Sequence, residues 1–150
     1  MNFLKKKLVY LYLKSRERSF FKKENKIFDK VKTAPEYKVC SFGNMNMNKL
    51  FYVIKRCPGG GLFSNFLFVL NHLIKADKLN AIPIVDMENF NNFYTEKKKI
   101  NSTYNSWLYY FDQVSSYTLS EVYKSKRVMF SSEKLFHRQS VSYKQNEKEL

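Results

Sequence analysis

The sequence predicts an α/β fold: a partial Rossmann-like parallel sheet of three strands built on a βαβ core, preceded by a basic N-terminal helix. Three observations predict it. "KLFYVIKR" (49–56) and "AIPIVDM" (81–87) are short apolar runs of strand composition. Between them, residues 62–78 place Phe63, Phe66, Leu67, Leu70, Leu73 and Ile74 on a helical repeat and end in Lys75 and Lys78, cations suited to a helix C-terminus. Strand, helix and strand within about 40 residues imply a parallel pair with a right-handed crossover.

Before this core, residues 3–28 read as helix, with Leu4, Leu8, Leu11 and Tyr12 at helical spacing among Lys and Arg, and Phe20, Phe21, Ile27 and Phe28 extending the stripe. Two uses fit it: a face laid on an anionic membrane surface, or a face packed on the domain or on a partner. Residues 32–48, with Pro35, Gly43 and several Asn, read as linker and turns. After the core, 88–117 is polar and aromatic loop. Thr118 and Glu121 have capping-box spacing for a short helix, "RVMFSS" (127–132) is a third strand, and 133–150 is a polar tail. The domains expected are therefore 1–48, 49–132 and 133–150.

A chain of 150 residues makes one domain, and 44% hydrophobic with 17% aromatic residues is too apolar for a disordered one. The net charge of +14 is concentrated at the start: residues 1–39 hold 12 Lys/Arg against 4 Asp/Glu. Such a surplus favours anionic partners or is a solvated basic face. Cys40 and Cys57 have no metal-ligand spacing, and one pair is no disulfide framework, so a reducing compartment is expected. The apolar run "LVYLYL" is shorter than a signal-peptide core or a membrane span.

Three of the four glycines stand together in "RCPGGGLFSN" between the first strand and the long helix. Gly59, Gly61 and Ser64 have the spacing G-x-G-x-x-S, one residue away from the dinucleotide fingerprint, and Asp86 lies where a ribose-binding acid would. Backbone amides at a helix start face any anion lying across the turn. A nicotinamide or flavin site and a plain corner needing positive φ are both open readings on these residues.

"GGGLFSN" opening a helix, then "PIVDM", then "NSTYNSWLYYFDQVSSYTLSEVYKSKRVMFSS" resemble the N-terminal part of bacterial fucosyltransferase-like glycosyltransferases, in the superfamily that holds the protein O-fucosyltransferases and the α-1,2 and α-1,6 fucosyltransferases. The resemblance spans residues 52–132. It implies a GT-B architecture, a GDP-sugar donor as substrate, no obligatory metal or other cofactor, and transfer of a sugar such as fucose to a surface-polysaccharide acceptor. It implies substrate contacts by Gly59, Gly60, Gly61, Ser64, Asn105 and Trp107, with Asp86 as the candidate catalytic base. In that family the donor is held mainly by a C-terminal half, so a truncated chain with little turnover of its own is expected. His137 and Arg138 receive no donor role.

Duller roles stand beside these. Asp86 can cap the following turn, Trp107 can anchor a core or lid, and His72 can be a satisfied helix histidine. The sequon at Asn101 matches by chance in a chain without a secretion signal. The localisation expected is cytoplasmic, peripheral on the inner membrane face. The competing classes are a basic, aromatic-rich nucleic-acid binder, against which no RNP, KH or helix-turn-helix pattern appears, and a noncatalytic membrane-associated partner. No specific nucleic acid is expected. Three parallel strands with two helices are also expected to leave the sheet edges bare and one face thinly covered.

Overall fold

A computed structural model describes residues 4, 7–9, 11–12, 26–57 and 59–132. The expected tail 133–150, with His137 and Arg138, lies outside these, as do Pro58 and most of the N-terminal helix expected over 3–28. Residues 4, 7–9 and 11–12 are helical.

The elements run α1 (Lys26–Thr33), β1 (Val39–Cys40), β2 (Phe51–Ile54), α2 (Leu62–Lys78), β3 (Ile82–Val85), a 3-10 turn (Ser106–Tyr109), α3 (Leu119–Val122) and β4 (Val128–Phe130). They form a mixed α/β unit around one four-stranded sheet of order β1-β4-β2-β3. β2 is the central strand, parallel to β3 on one side and to β4 on the other. β1 runs antiparallel to β4 and closes that edge.

The all-buried pattern of β2 follows from its place. Alternate residues point to opposite faces, so both faces need cover. Phe51 and Val53 join Val31 of α1, Val122 of α3, Tyr123, Ile84, Val128 and Phe130 in one core layer. Tyr52 and Ile54 face the other way, into Val69 and Ala76 of α2, Val85, Met87 and Trp107. The expectation of a thin face and bare edges is therefore corrected. Residues 32–48, read as linker, begin inside α1, whose Val31 is only 1% exposed. They also supply β1 and a bridge from Glu36 to Phe130. The segment belongs to the same packed unit as 49–132.

β3 is the outer strand on the other side, and its edge is dressed by side chains. Ile82 and Asp86 donate to Leu50 and Ile54 of the β2 side, so Pro83 and Val85 turn outward. Pro83 has no N–H to leave unpaired there. Val85 donates its N–H to Oε1 of Gln113 at 2.9 Å and accepts from Nε2 of the same amide at 3.1 Å. α3 begins at Thr118, which forms the expected capping box with Glu121.

Candidate functional site

The glycine turn lies beyond the carboxyl end of β2 and leads into α2, a 17-residue helix whose bounds match those expected. Gly60 donates its amide to Cys57 O at 3.0 Å and closes the turn. Gly59 sits at φ 72°, in the left-handed region that a residue with a Cβ adopts only under strain. A Cβ on Gly60 would come within 3.0 Å of Ser64 Cβ and 3.2 Å of the Cys57 carbonyl oxygen and Sγ. The first two glycines are thus required by the turn itself. Gly61 is different: it is the N-cap, in extended backbone, and no side chain caps the helix through it.

Asn65, absent from the sequence-predicted site, holds the turn in shape. It is 3% exposed. Its Oδ1 accepts from the Cys57 amide at 2.8 Å, and its Nδ2 donates to Gly60 O at 3.0 Å and Gly61 O at 3.1 Å. One side chain thus braces both ends of the corner. Tyr94 closes over it, its hydroxyl accepting from the Leu62 amide at 2.9 Å. Ser64 is half-buried beside Gly60.

Two cations immediately precede the turn: Lys55 is 3% exposed and Arg56 fully buried. They sit at the end of the strand from which the sheet is wound in both directions. One connection leads to β3 and the next passes back to β4, and a crevice outside such a divide is where open α/β sheets take ligands. Ser131, beyond β4, ties this end of the strand: its Oγ accepts from the Lys55 amide at 2.9 Å and its own amide donates to Val53 O at 2.9 Å. Lys55 Nζ lies 4.8 Å from the Phe90 ring centre. The dipeptide "KR" directly after an all-apolar strand was the available signal.

The residues expected around β3 have a different character. Asp86 is fully buried. Its Oδ1 accepts from the amides of Glu88 and Asn89 at 3.1 and 2.8 Å, and its Oδ2 from Asn89 Nδ2 at 2.8 Å and from the Tyr123 hydroxyl. Four donors occupy about the full capacity of a carboxylate. Burial, then the Asp86 charge, pushes the Tyr123 phenol well above its ordinary pKa, so it remains a donor. Asp86 thus anchors the turn after β3.

Asn105 is also fully buried. It accepts from the amides of Met87 at 3.1 Å and Trp107 at 3.2 Å and donates to Val85 O at 2.8 Å, pinning the 3-10 turn to the end of β3. Trp107 is 6% exposed. Its ring packs 4.4 Å from Phe111 and 6.5 Å from Phe66, and its Nε1 donates to Asp112 O at 2.8 Å. Its surroundings are those of a core anchor. The structure brings Asp86, Asn105 and Trp107 together as scaffold and places the glycine turn with Ser64 separately, at the start of α2.

Glu88, two residues beyond Asp86, is half-buried, and its carboxyl is raised above the ordinary carboxylate range by burial and then by the Asp86 charge, with Lys99 opposing. Tyr109 is raised chiefly by burial. His72 is buried inside α2, its Nδ1 2.8 Å from the Tyr52 hydroxyl, and its pKa falls to about 3 through burial and the nearby Lys75 charge. Among the described residues no group of three or more His, Cys, Asp or Glu could hold a metal ion, and no helix is long and apolar enough to cross a membrane.

Compared with family models, curated proteins and solved structures, the chain matches none of them.

Proposed function

We propose that this chain is a Rossmann-like domain of a glycosyltransferase that moves a sugar from a nucleoside-diphosphate donor to a glycan hydroxyl. The observation that carries the reading is the glycine corner at the carboxyl end of the central parallel strand. It opens into a helix whose N-cap has no side chain, directly after the buried cations Lys55 and Arg56. A pyrophosphate laid over that corner meets backbone amides, the positive end of the α2 dipole and two nearby positive charges.

In the transfer, the acceptor oxygen bonds to the anomeric carbon as the bond to the β-phosphate oxygen breaks. The nucleoside diphosphate leaves with two electrons and a growing negative charge. The amides of Gly61, Phe63 and Ser64 stabilise that charge without reorganising, because Asn65 already fixes the turn. The acceptor proton passes to a carboxylate. Glu88 suits this better than Asp86: it is half-buried with its carboxyl raised by burial, whereas Asp86 is enclosed by four donors and positions the loop that carries Glu88. The resemblance to fucosyltransferase-like proteins supports a GDP-sugar and a surface-polysaccharide acceptor. Exposed Leu4, Leu8, Leu11 and Tyr12 among lysines support peripheral attachment to an anionic inner membrane face.

Thermal unfolding of the full chain with GDP, GDP-fucose and UDP as separate additions tests this. A GDP species should raise Tm by several degrees at saturating concentration, and Gly60→Ala should abolish the rise. A Tm unmoved by any nucleoside diphosphate at millimolar concentration would overturn the reading.

A further inference from the structure

Two ordered tips stand on the long loop that follows β3. At the first, Asn92 and Thr95 are buried and hold the bend: the Tyr94 amide donates to Asn92 Oδ1 at 2.9 Å and the Asn92 amide to Thr95 Oγ1 at 3.1 Å. Phe93, within the bend, is 43% exposed. At the second, Ile100 and Thr103 exchange both backbone hydrogen bonds at 3.0 Å across Asn101 and Ser102, whose φ values of 49° and 65° suit a two-residue hairpin turn. Ile100 is 38% exposed. Between the tips lie Glu96, Lys97, Lys98 and Lys99, all exposed, three cations against one acid.

The Phe93 ring is not isolated. Tyr12 stacks on it, with ring centres 6.4 Å apart and planes 25° from parallel. Tyr12 extends the helical stripe of Leu4, Leu8 and Leu11, and all four side chains are more than half exposed. Residues 1–25 carry eight Lys/Arg against two Asp/Glu. Two segments far apart in the chain thus meet ring to ring, and each sets exposed apolar side chains beside a surplus of cations.

That combination selects the partner. Apolar side chains gain free energy on leaving water for hydrocarbon, and lysines at the margin attract anionic headgroups while their stems lie along apolar surface. A nucleic acid would use the lysines but offers nothing to Leu4, Leu8, Leu11 and Ile100, and Tyr12 and Phe93 each give one face to the other rather than to a base. The core of a protein interface is depleted of lysine.

We propose that the loop 93–100 is a second lipid-binding element, which joins the N-terminal helix in one face that lies on an anionic membrane. The inference rests on the peripheral attachment read from that helix and adds an orientation to it. The bend that offers Phe93 to lipid also holds the Tyr94 hydroxyl on the Leu62 amide, so the glycine corner is tied to the membrane-facing loop.

Co-sedimentation of the full chain with vesicles of mixed phosphatidylglycerol and phosphatidylcholine, and with vesicles of phosphatidylcholine alone, tests it without nucleotide. The wild type should bind the anionic vesicles and bind the neutral ones weakly. Phe93→Ser should weaken anionic binding about tenfold at any salt concentration, and Phe93→Leu, which keeps an apolar tip, should stay within about twofold of wild type. Lys99 Nζ lies 5.6 Å from the Tyr104 ring centre, so the charge variant is Lys97→Gln with Lys98→Gln. It should bind on the order of tenfold more weakly at low salt and like wild type at high salt. Far-UV spectra should be unchanged, because all three positions are exposed.

A wild type that binds no vesicle overturns this proposal and the helix attachment together. A wild type that binds while Phe93→Ser and the lysine variant bind equally well overturns the loop alone. Equal binding to neutral vesicles overturns the anionic partner. Binding of single-stranded RNA in place of vesicles, lost in the lysine variant and kept in Phe93→Ser, overturns the proposal by assigning the face to nucleic acid. The sugar-transfer reading is untouched by any of these results, since it is read from nucleotide binding.

Discussion

The loops leaving the carboxyl ends of β2 and β3 start from neighbouring strands and are built on opposite plans. The first is a tight corner carrying Gly59, Gly60 and Gly61 and braced by one asparagine from the following helix. The second runs from 86 to 113 and is woven from side chains: Asn105 and Gln113 spend their polar atoms on backbone groups around β3, and Asp86 takes two backbone amides and two side-chain donors. A loop that turns its side chains inward to saturate its own backbone has little polarity left for a ligand. In the corner the Cys57 and Gly60 amides are already bonded, which leaves the exposed Gly61 and the start of α2 to face a ligand. Under the proposed function the anion lies at the first loop, and the second, Glu88 apart, is framework.

The sharpest way to break this contrast is Asn105→Ala. It strips three buried hydrogen bonds and leaves the Met87 and Trp107 amides unpaired, so a loss of about 3 to 5 kcal/mol is expected in urea unfolding. A loss under 1 kcal/mol would mean the long loop is not framework.

Next comes acidification. His72 is neutral in the fold, with a pKa of about 3, and its Nε2 has no hydrogen-bond partner among the described residues. The unfolded chain takes up the proton near pH 6.5, so the stabilisation is full above that value and declines as pH falls towards 3. Between pH 7.5 and 5 the chain should lose about 2 kcal/mol. His72→Gln should flatten that slope, and an unchanged slope in the variant would refute the assignment.

Tyr123→Phe takes one donor of four from Asp86 and should cost about 1 to 2 kcal/mol. An unchanged midpoint would show that Asp86 does not depend on that hydroxyl. The smallest change concerns the corner itself. Gly60→Ala should cost about 1 kcal/mol because its Cβ meets Ser64 and Cys57, whereas Gly61→Ala, whose nearest contact would be the Tyr94 hydroxyl at 3.5 Å, should cost a few tenths. Equal effects would mean the corner is looser than its contacts indicate.

Much of the framework was legible in the residues. α2 is bounded by glycines before it and Lys75 and Lys78 within its last turn, and its interior repeats every three to four residues, so both limits could be read directly. Thr118 and Glu121 announced a cap because their spacing is a local geometric requirement. β1 was hidden, because two residues of pairing carry no periodicity and exist only where β4 offers an edge. The candidate site was harder for a related reason. Asp86 and Asn105 are the residue types a sugar site uses, yet the same types satisfy buried backbone, and only the partners distinguish the two uses. Conversely, Arg56 reads as surface charge and Asn65 as a polar position on a helix, although both are buried.

The amide of Gln113, lying along β3, has a consequence for how this molecule behaves in company. An outermost strand is normally an invitation to the backbone of a neighbour, and stacking of that kind seeds fibrils. Here the outward hydrogen-bonding positions of Val85 are taken by a side chain that imitates one residue of a further strand, and Pro83 offers no donor beside it. A single glutamine and a single proline thereby guard the flank of the sheet against ordered aggregation, without any of the chain's abundant positive charge being needed there.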